Sequence, residues 1–232
     1  MRSTLIVTTC LLAIACNTTK FAGTEKKAAA APPPPPPPPP GVCSPSNTET
    51  LSQTLNFPAS AECAFNQNGN LDRKNGFHQA ISTQTLNVPI PANIVLCEIN
   101  IESSVSDLRY DDFLIFTLDK YVLVGSNGNM MDLLQKDGNL YIWNFDKIKG
   151  QPADLDDTLP PYCIGASCDV PGHDQAGPFN VNFTTSEIRE LANRQLGKNE
   201  LDFSLITTGD DNDGDCEHTE FNLSLTLRYS KK

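Results

Sequence analysis

Residues 220–229 read EFNLSLTLRY. Phe221, Leu223, Leu225, Leu227 and Tyr229 alternate with Asn222, Ser224, Thr226 and Arg228. A period of two is that of a strand with one dry and one wet face. Further strands are expected at 93–101, where NIVLCEINI starts apolar and then alternates, and at 112–118 (DFLIFTL), 121–124 (YVLV), 131–135, 140–145, 179–183 and 201–207. Asp137-Gly138 suits a tight hairpin turn that needs positive φ. One short helix is expected near residues 185–196. Thr184 and Glu187 form a capping box, Ile188, Leu191 and Ala192 follow at helical spacing, and Gly197 can stop it. Many short strands and a single helix predict an all-β fold over residues 79–232, an antiparallel β-sandwich of jelly-roll-like form. Residues 43–78 are rich in Asn, Ser, Thr and Gln with little periodicity, and predict a loop-rich N-terminal segment with at most a short hairpin.

The chain opens differently. After Met1-Arg2-Ser3 comes an apolar run, Thr4 to Ala15, too short to span a bilayer as an ordinary helix but suited to the apolar region of a signal peptide. It ends Ala13-Ile14-Ala15-Cys16, with Leu11 and Leu12 just upstream. This resembles the lipobox of bacterial lipoproteins, although Ala13 and Ile14 depart from its commonest form. The resemblance implies removal of residues 1–15 and lipidation of Cys16, hence a membrane partner through a lipid anchor. Asn17 rather than Asp after the cysteine favours, in that family, the outer membrane or cell surface. The plainer alternative is an ordinary cleaved signal peptide. Residues 16–42 then read as a tether. Pro32 to Pro40 are consecutive prolines. They lack amide donors and have fixed φ, so they form a stiff polyproline II spacer roughly 28 Å long. A ligand for a proline-binding domain is the other reading.

Beyond Cys10 and Cys16 six cysteines remain: Cys43, Cys63, Cys97, Cys163, Cys168 and Cys216. An even set in an exported chain predicts three disulfides, and sequence alone does not choose among about fifteen pairings. Closeness in sequence suggests Cys43–Cys63 and Cys163–Cys168, leaving Cys97–Cys216. A zinc site using Cys163, Cys168 and His173, or Cys216 and His218, competes with this. Its spacing fits only loosely, and export favours oxidation.

The formal charge is −11, and the first forty residues are net basic, so the exported body is more acidic than the whole. Such a body repels phosphate backbones, which disfavours nucleic acid. Solubility explains much of the acidity, and cation binding by clustered carboxylates is the sharper alternative.

Residues 110–123 read YDDFLIFTLDKYVL. They resemble the core motif of the protective-antigen-type β-sandwich domain of bacterial toxins, glycosidases and fungal adhesins. Asp111, Asp112, Leu114, Phe116, Leu118, Asp119, Val122 and Leu123 match in spacing, whereas Phe113 and Lys120 stand where glycines are usual. In the adhesin members the Asp pair holds calcium, which binds sugar hydroxyls, so the resemblance implies calcium at Asp111 and Asp112. The alternative is an Asp pair that merely begins a strand after a turn. Residues 209–215, GDDNDGD, suggest a second cation loop through Asp211, Asp213 and Asp215, although strands rather than helices flank it and an EF-hand is not expected. Asp154, Asp156 and Asp157 form a weaker cluster.

Tyr141, Trp143 and Phe145 fall on one face if 140–145 is a strand. Such stripes are usually core, and a sugar-stacking platform on Tyr141 and Trp143 is the functional alternative. His78, His173 and His218 lie in no recognisable nucleophile motif. The expectation is a lipid-anchored surface module that binds carbohydrate, with calcium as cofactor. An envelope interaction protein and a glycan hydrolase using paired carboxylates are the alternatives.

Overall fold

The computed structural model describes residues 43–60, 80–103, 108–111, 113–151, 160–165, 168–172, 175–183, 185–209 and 216–231. By its internal contacts the chain divides into Met1–Pro33 and Pro34–Lys232, and every described residue belongs to the second unit. In chain order its strands are β1 (Thr48–Phe57), β2 (Ala80–Pro89), β3 (Ile94–Glu102), β4 (Phe113–Leu118), β5 (Tyr121–Gly125), β6 (Gln135–Asp137), β7 (Leu140–Ile142), β8 (Tyr162–Cys163), β9 (Cys168–Asp169), β10 (Asn180–Phe183), β11 (Glu200–Gly209) and β12 (Phe221–Lys231). Among the described residues two α-helices accompany them, α1 (Phe145–Ile148) and α2 (Thr185–Arg194).

The pairing is nested. β1 pairs with β12, β2 with β11, β3 with β10 and β4 with β5, all antiparallel. Rolling this long double ribbon over brings β12 beside β3 and β11 beside β4. The result is two antiparallel sheets, β1-β12-β3-β10-β9 and β2-β11-β4-β5-β7-β6, with β8 on β5. That is jelly-roll topology, and the chain is an all-β sandwich as its periodicity predicts.

The interior explains the alternation. Leu223, Leu225 and Leu227 of β12, Ile99 and Ile101 of β3, and Leu114, Phe116 and Leu118 of β4 are at most 1% exposed. Phe116 sits among rings, with centroids 6.0 Å from Phe57, 5.5 Å from Phe179 and 5.9 Å from Phe203. Each such burial is worth about 1.5–3 kcal/mol before entropy is counted. Ile188, Leu191 and Ala192 of α2 join the same core, and Gly197 follows the helix with φ +82°, as the spacing predicts. The capping pair Thr184 and Glu187 lies outside the residues whose side chains are described.

Several local expectations change. Residues 48–57, expected within a loop-rich segment, form the ten-residue strand β1. Its alternation is masked because Glu49 and Gln53, on the same line as Leu51, Leu55 and Phe57, are exposed at the sheet margin. Residues 131–135 are not a strand: Gly128–Leu133 is a 3-10 helix capped by Asn127, whose Oδ1 accepts from the Asn129 amide. The strand expected over 140–145 stops at Ile142, and Phe145 begins α1, capped by Asn144. The hairpin loop is Gly138-Asn139, since Asp137 pairs with Leu140. Only Gly138 has positive φ (+69°), the pattern of a type II′ turn. The Asn139 amide donates to Glu190 Oε2 at 3.1 Å, while Arg194 donates to Asp137 at 2.7 Å, fastening this hairpin to α2.

The cysteine pairing also differs. Cys163 and Cys168 are bonded as expected, but Cys43 is bonded to Cys97, overturning both Cys43–Cys63 and Cys97–Cys216. The cause is topological. β1 is one strand removed from β3, so the residues just before β1 reach β3 across the end of β12. Arg228 lies opposite Glu98 and Tyr229 opposite Leu96, making Cys97 the extra residue of a β-bulge. Cys216 is disulfide-bonded as well, and Cys63 lies outside the described residues.

Candidate functional site

The two sheets treat their outward faces oppositely. In the second sheet the outward residues Phe113 and Ile115 of β4, Val122 of β5 and Ile206 of β11 are buried in a second hydrophobic cluster. The excursion between β5 and β10 supplies its cover: Met130, Met131 and Leu134 from the 3-10 helix and its end, and Ile148 from α1, with Tyr141, Trp143, Phe145 and Tyr162 packed around them. Hence β4 and β5 are buried at every position.

This placement corrects the strand face expected over 140–145. Tyr141, Trp143 and Phe145 do not share a strand face; they belong to three successive local structures and lean on the second cluster. Tyr141 packs edge-on against Tyr162, with centroids 5.1 Å apart, and Lys136 Nζ lies 5.0 Å from the Tyr141 ring centroid. Burial pushes the Tyr162 hydroxyl pKa up to about 12.

Among the described residues no such apolar cluster covers the outside of the first sheet. Its outward positions are Thr50, Ser52, Thr54 and Asn56 on β1, Asn222, Ser224, Thr226 and Arg228 on β12, Glu98, Asn100 and Glu102 on β3, and Asn180 and Asn182 on β10, all exposed or half-exposed, while past the bulge Ser230 of β12 and Val95 of β3, which face each other on the same side, are buried. Register aligns them into rows. Asn182 faces Asn100, which faces Thr226, which faces Ser52. The next row runs Asn180, Glu102, Ser224, Thr54. Neighbours within a row are about 4.8 Å apart, and rows are roughly 7 Å apart. Arg228 pairs with Glu98 at 3.0 Å, so one carboxylate on the face is neutralised, and Ser52 Oγ lies 3.4 Å from Thr226 Oγ1. Amides and hydroxyls both donate and accept, so these rows can meet polar groups of either kind. Sequence reasoning saw the polar half of EFNLSLTLRY only as a wet face. The clue it lacked was register, which places five outward amides on four neighbouring strands.

The carboxylates proposed for calcium are only partly in view. Asp111 is half-exposed beside the bridge between Tyr110 and His218, and its amide donates to Glu217 O at 3.0 Å. Asp112, Asp211, Asp213 and Asp215 lie outside the described residues, as do Cys16, His78, His173 and the Asp154–Asp157 cluster. Among the described residues no group of three His, Cys, Asp or Glu stands close enough to hold an ion. Asp119, the third Asp of the motif, turns the β4–β5 hairpin with φ +50°, and its carboxylate pairs with Lys198.

His218, which the sequence offers only beside Cys216 in the competing zinc reading, is 5% exposed at one end of the sandwich, and Cys216 is disulfide-bonded. Its Nε2 lies 3.1 Å from the Gln84 amide nitrogen, and its Nδ1 lies 2.9 Å from Thr219 O. An amide nitrogen only donates, so Nε2 accepts and Nδ1 carries the proton. Burial lowers the pKa of this ring below its ordinary value, opposed in part by the bond to Thr219 O. Ser60 Oγ donates to Cys216 O at 2.6 Å and accepts from the His218 backbone amide at 2.9 Å, so it addresses the backbone of this segment rather than the imidazole.

No family model matches the chain, and no curated protein or solved structure matches it either. No helix among the described residues is long and apolar enough to cross a membrane.

Proposed function

We propose that the chain is an exported, lipid-anchored binding module of the cell envelope that contacts carbohydrate through the outward face of its first sheet. Cys16 carries the lipid, and the polyproline run holds the sandwich away from the membrane. The observation that supports the binding reading is the pair of rows from Asn182 to Ser52 and from Asn180 to Thr54. Apart from Glu102, which only accepts, every member of these rows can both donate and accept, at a repeat comparable with that of consecutive rings in an extended glycan. Binding of this kind needs no ion. The calcium suggested by the Asp111-Asp112 resemblance is a separate arrangement at those residues, and no step here passes through it.

A glycan-array screen of the exported chain, run with and without chelator, tests the proposal. At least one neutral glycan should be retained in chelator, and Asn100→Ala with Asn182→Ala should weaken that binding tenfold or more while leaving the unfolding midpoint unchanged. Binding abolished by chelator and restored by calcium would move the site to Asp111 and Asp112. Co-purification with one envelope protein, with no glycan bound, would replace the reading by that of an interaction protein.

A further inference from the structure

We propose that the Cys43–Cys97 disulfide carries tension from the N-terminal segment straight into β3, shielding the end strand of each sheet from being peeled away. β1 ends one sheet and β2 ends the other. Both lie inside the covalent loop that this bond closes, with a sequence separation of 54. An end strand is the weak point of a sandwich under load. Its ladder bonds, each worth about 1 kcal/mol net, can be broken one at a time. The register makes β1 especially vulnerable: Thr48 lies opposite Ser230, so the start of β1 sits beside the end of β12. A pull between the two chain ends would open this ladder from its tip, pair by pair, as a zipper opens.

The disulfide changes where force enters. It passes from Cys43 to Cys97 and loads β3, which is flanked in its sheet by β12 on one side and β10 on the other. The covalent path of the load then bypasses residues 44–96, including β1 and β2. The bulge in β3 is part of the device, because Cys97 is the extra residue that the Arg228–Glu98 and Tyr229–Leu96 pairs leave between them. The anchoring reading supplies only the source of the tension.

Optical-trap pulling on the full chain, through handles at its N-terminal segment and C-terminus, tests this without any ligand, so its failure leaves the carbohydrate reading untouched. The bonded chain should open with no earlier lengthening. Cys43→Ser combined with Cys97→Ser should add a step at lower force, lengthening the molecule by roughly 50 Å as about fifteen residues up to Phe57 come free. If that variant does not fold, folded wild-type molecules treated with a phosphine reductant in the trap should gain the same step. An early step in the bonded chain, or a single opening at unchanged force once the bond is lost, would overturn the proposal.

Discussion

Cys97, the bulged residue of β3, is bonded to Cys43, five residues before β1 starts at Thr48. Closing a loop of this length restricts the unfolded chain far more than the folded one. In the chain-entropy account a loop of 54 residues contributes about 4 kcal/mol. Cys43→Ser with Cys97→Ser should therefore lower the unfolding free energy by about that amount in a urea titration. Loss of the Cys163–Cys168 bond, with a separation of only 5, should cost clearly less.

The two outward faces should answer truncation differently. Ile115→Ala empties space in the covered cluster of the second sheet and should cost about 3 kcal/mol. Asn100→Ala on the open face should stay within about 0.5 kcal/mol. Denaturant midpoints of the two variants make the comparison. Equal costs would mean that the excursion after β5 does not seal the second sheet.

His218 should make the fold acid-sensitive. Its pKa is depressed in the folded chain from the ordinary 6.5, with burial the main cause. Below that ordinary value the unfolded chain takes up the proton while the folded chain resists it. Its contribution is thus fully present above about pH 6.5 and is lost as pH falls toward the folded-state value. Urea midpoints from pH 8 to 5 should decline, and His218→Gln should flatten that decline.

Gln195 is 2% exposed, and neither its Oε1 nor its Nε2 has a hydrogen-bond partner among the described residues. A buried amide left in this way costs about 1–3 kcal/mol. Gln195→Met keeps the volume and removes the polar atoms, so it should be neutral or raise stability by about 1 kcal/mol. Thermal unfolding of the variant checks the sign.

Much of the architecture could be read from periodicity because β12, β3 and β10 each bury one face of a sheet whose other face is wet, and α2 packs one stripe on the core. Alternation failed where that condition failed. β4 reads FLIFTL, apolar on both sides, because the excursion covers its outward residues Phe113 and Ile115. β1 hid for the opposite reason, with Glu49 and Gln53 on its core-facing line but exposed at the margin. The Cys43–Cys97 bond could not be foreseen, because it follows from strand order, which spacing does not encode. The candidate face was least legible. Asn182, Asn100, Thr226 and Ser52 are scattered over the whole length of the folded body and become a row only through three separate registers.

The chain between β5 and β10 gives the molecule a front and a back. On the back, any change of side-chain volume is felt by tightly fitted neighbours. On the front, backbone ladders hold the sheet while the outward groups touch mostly water. Selection can redraw that front one residue at a time with little penalty to folding, so chains built on this backbone are free to diverge across their fronts while their backs stay alike.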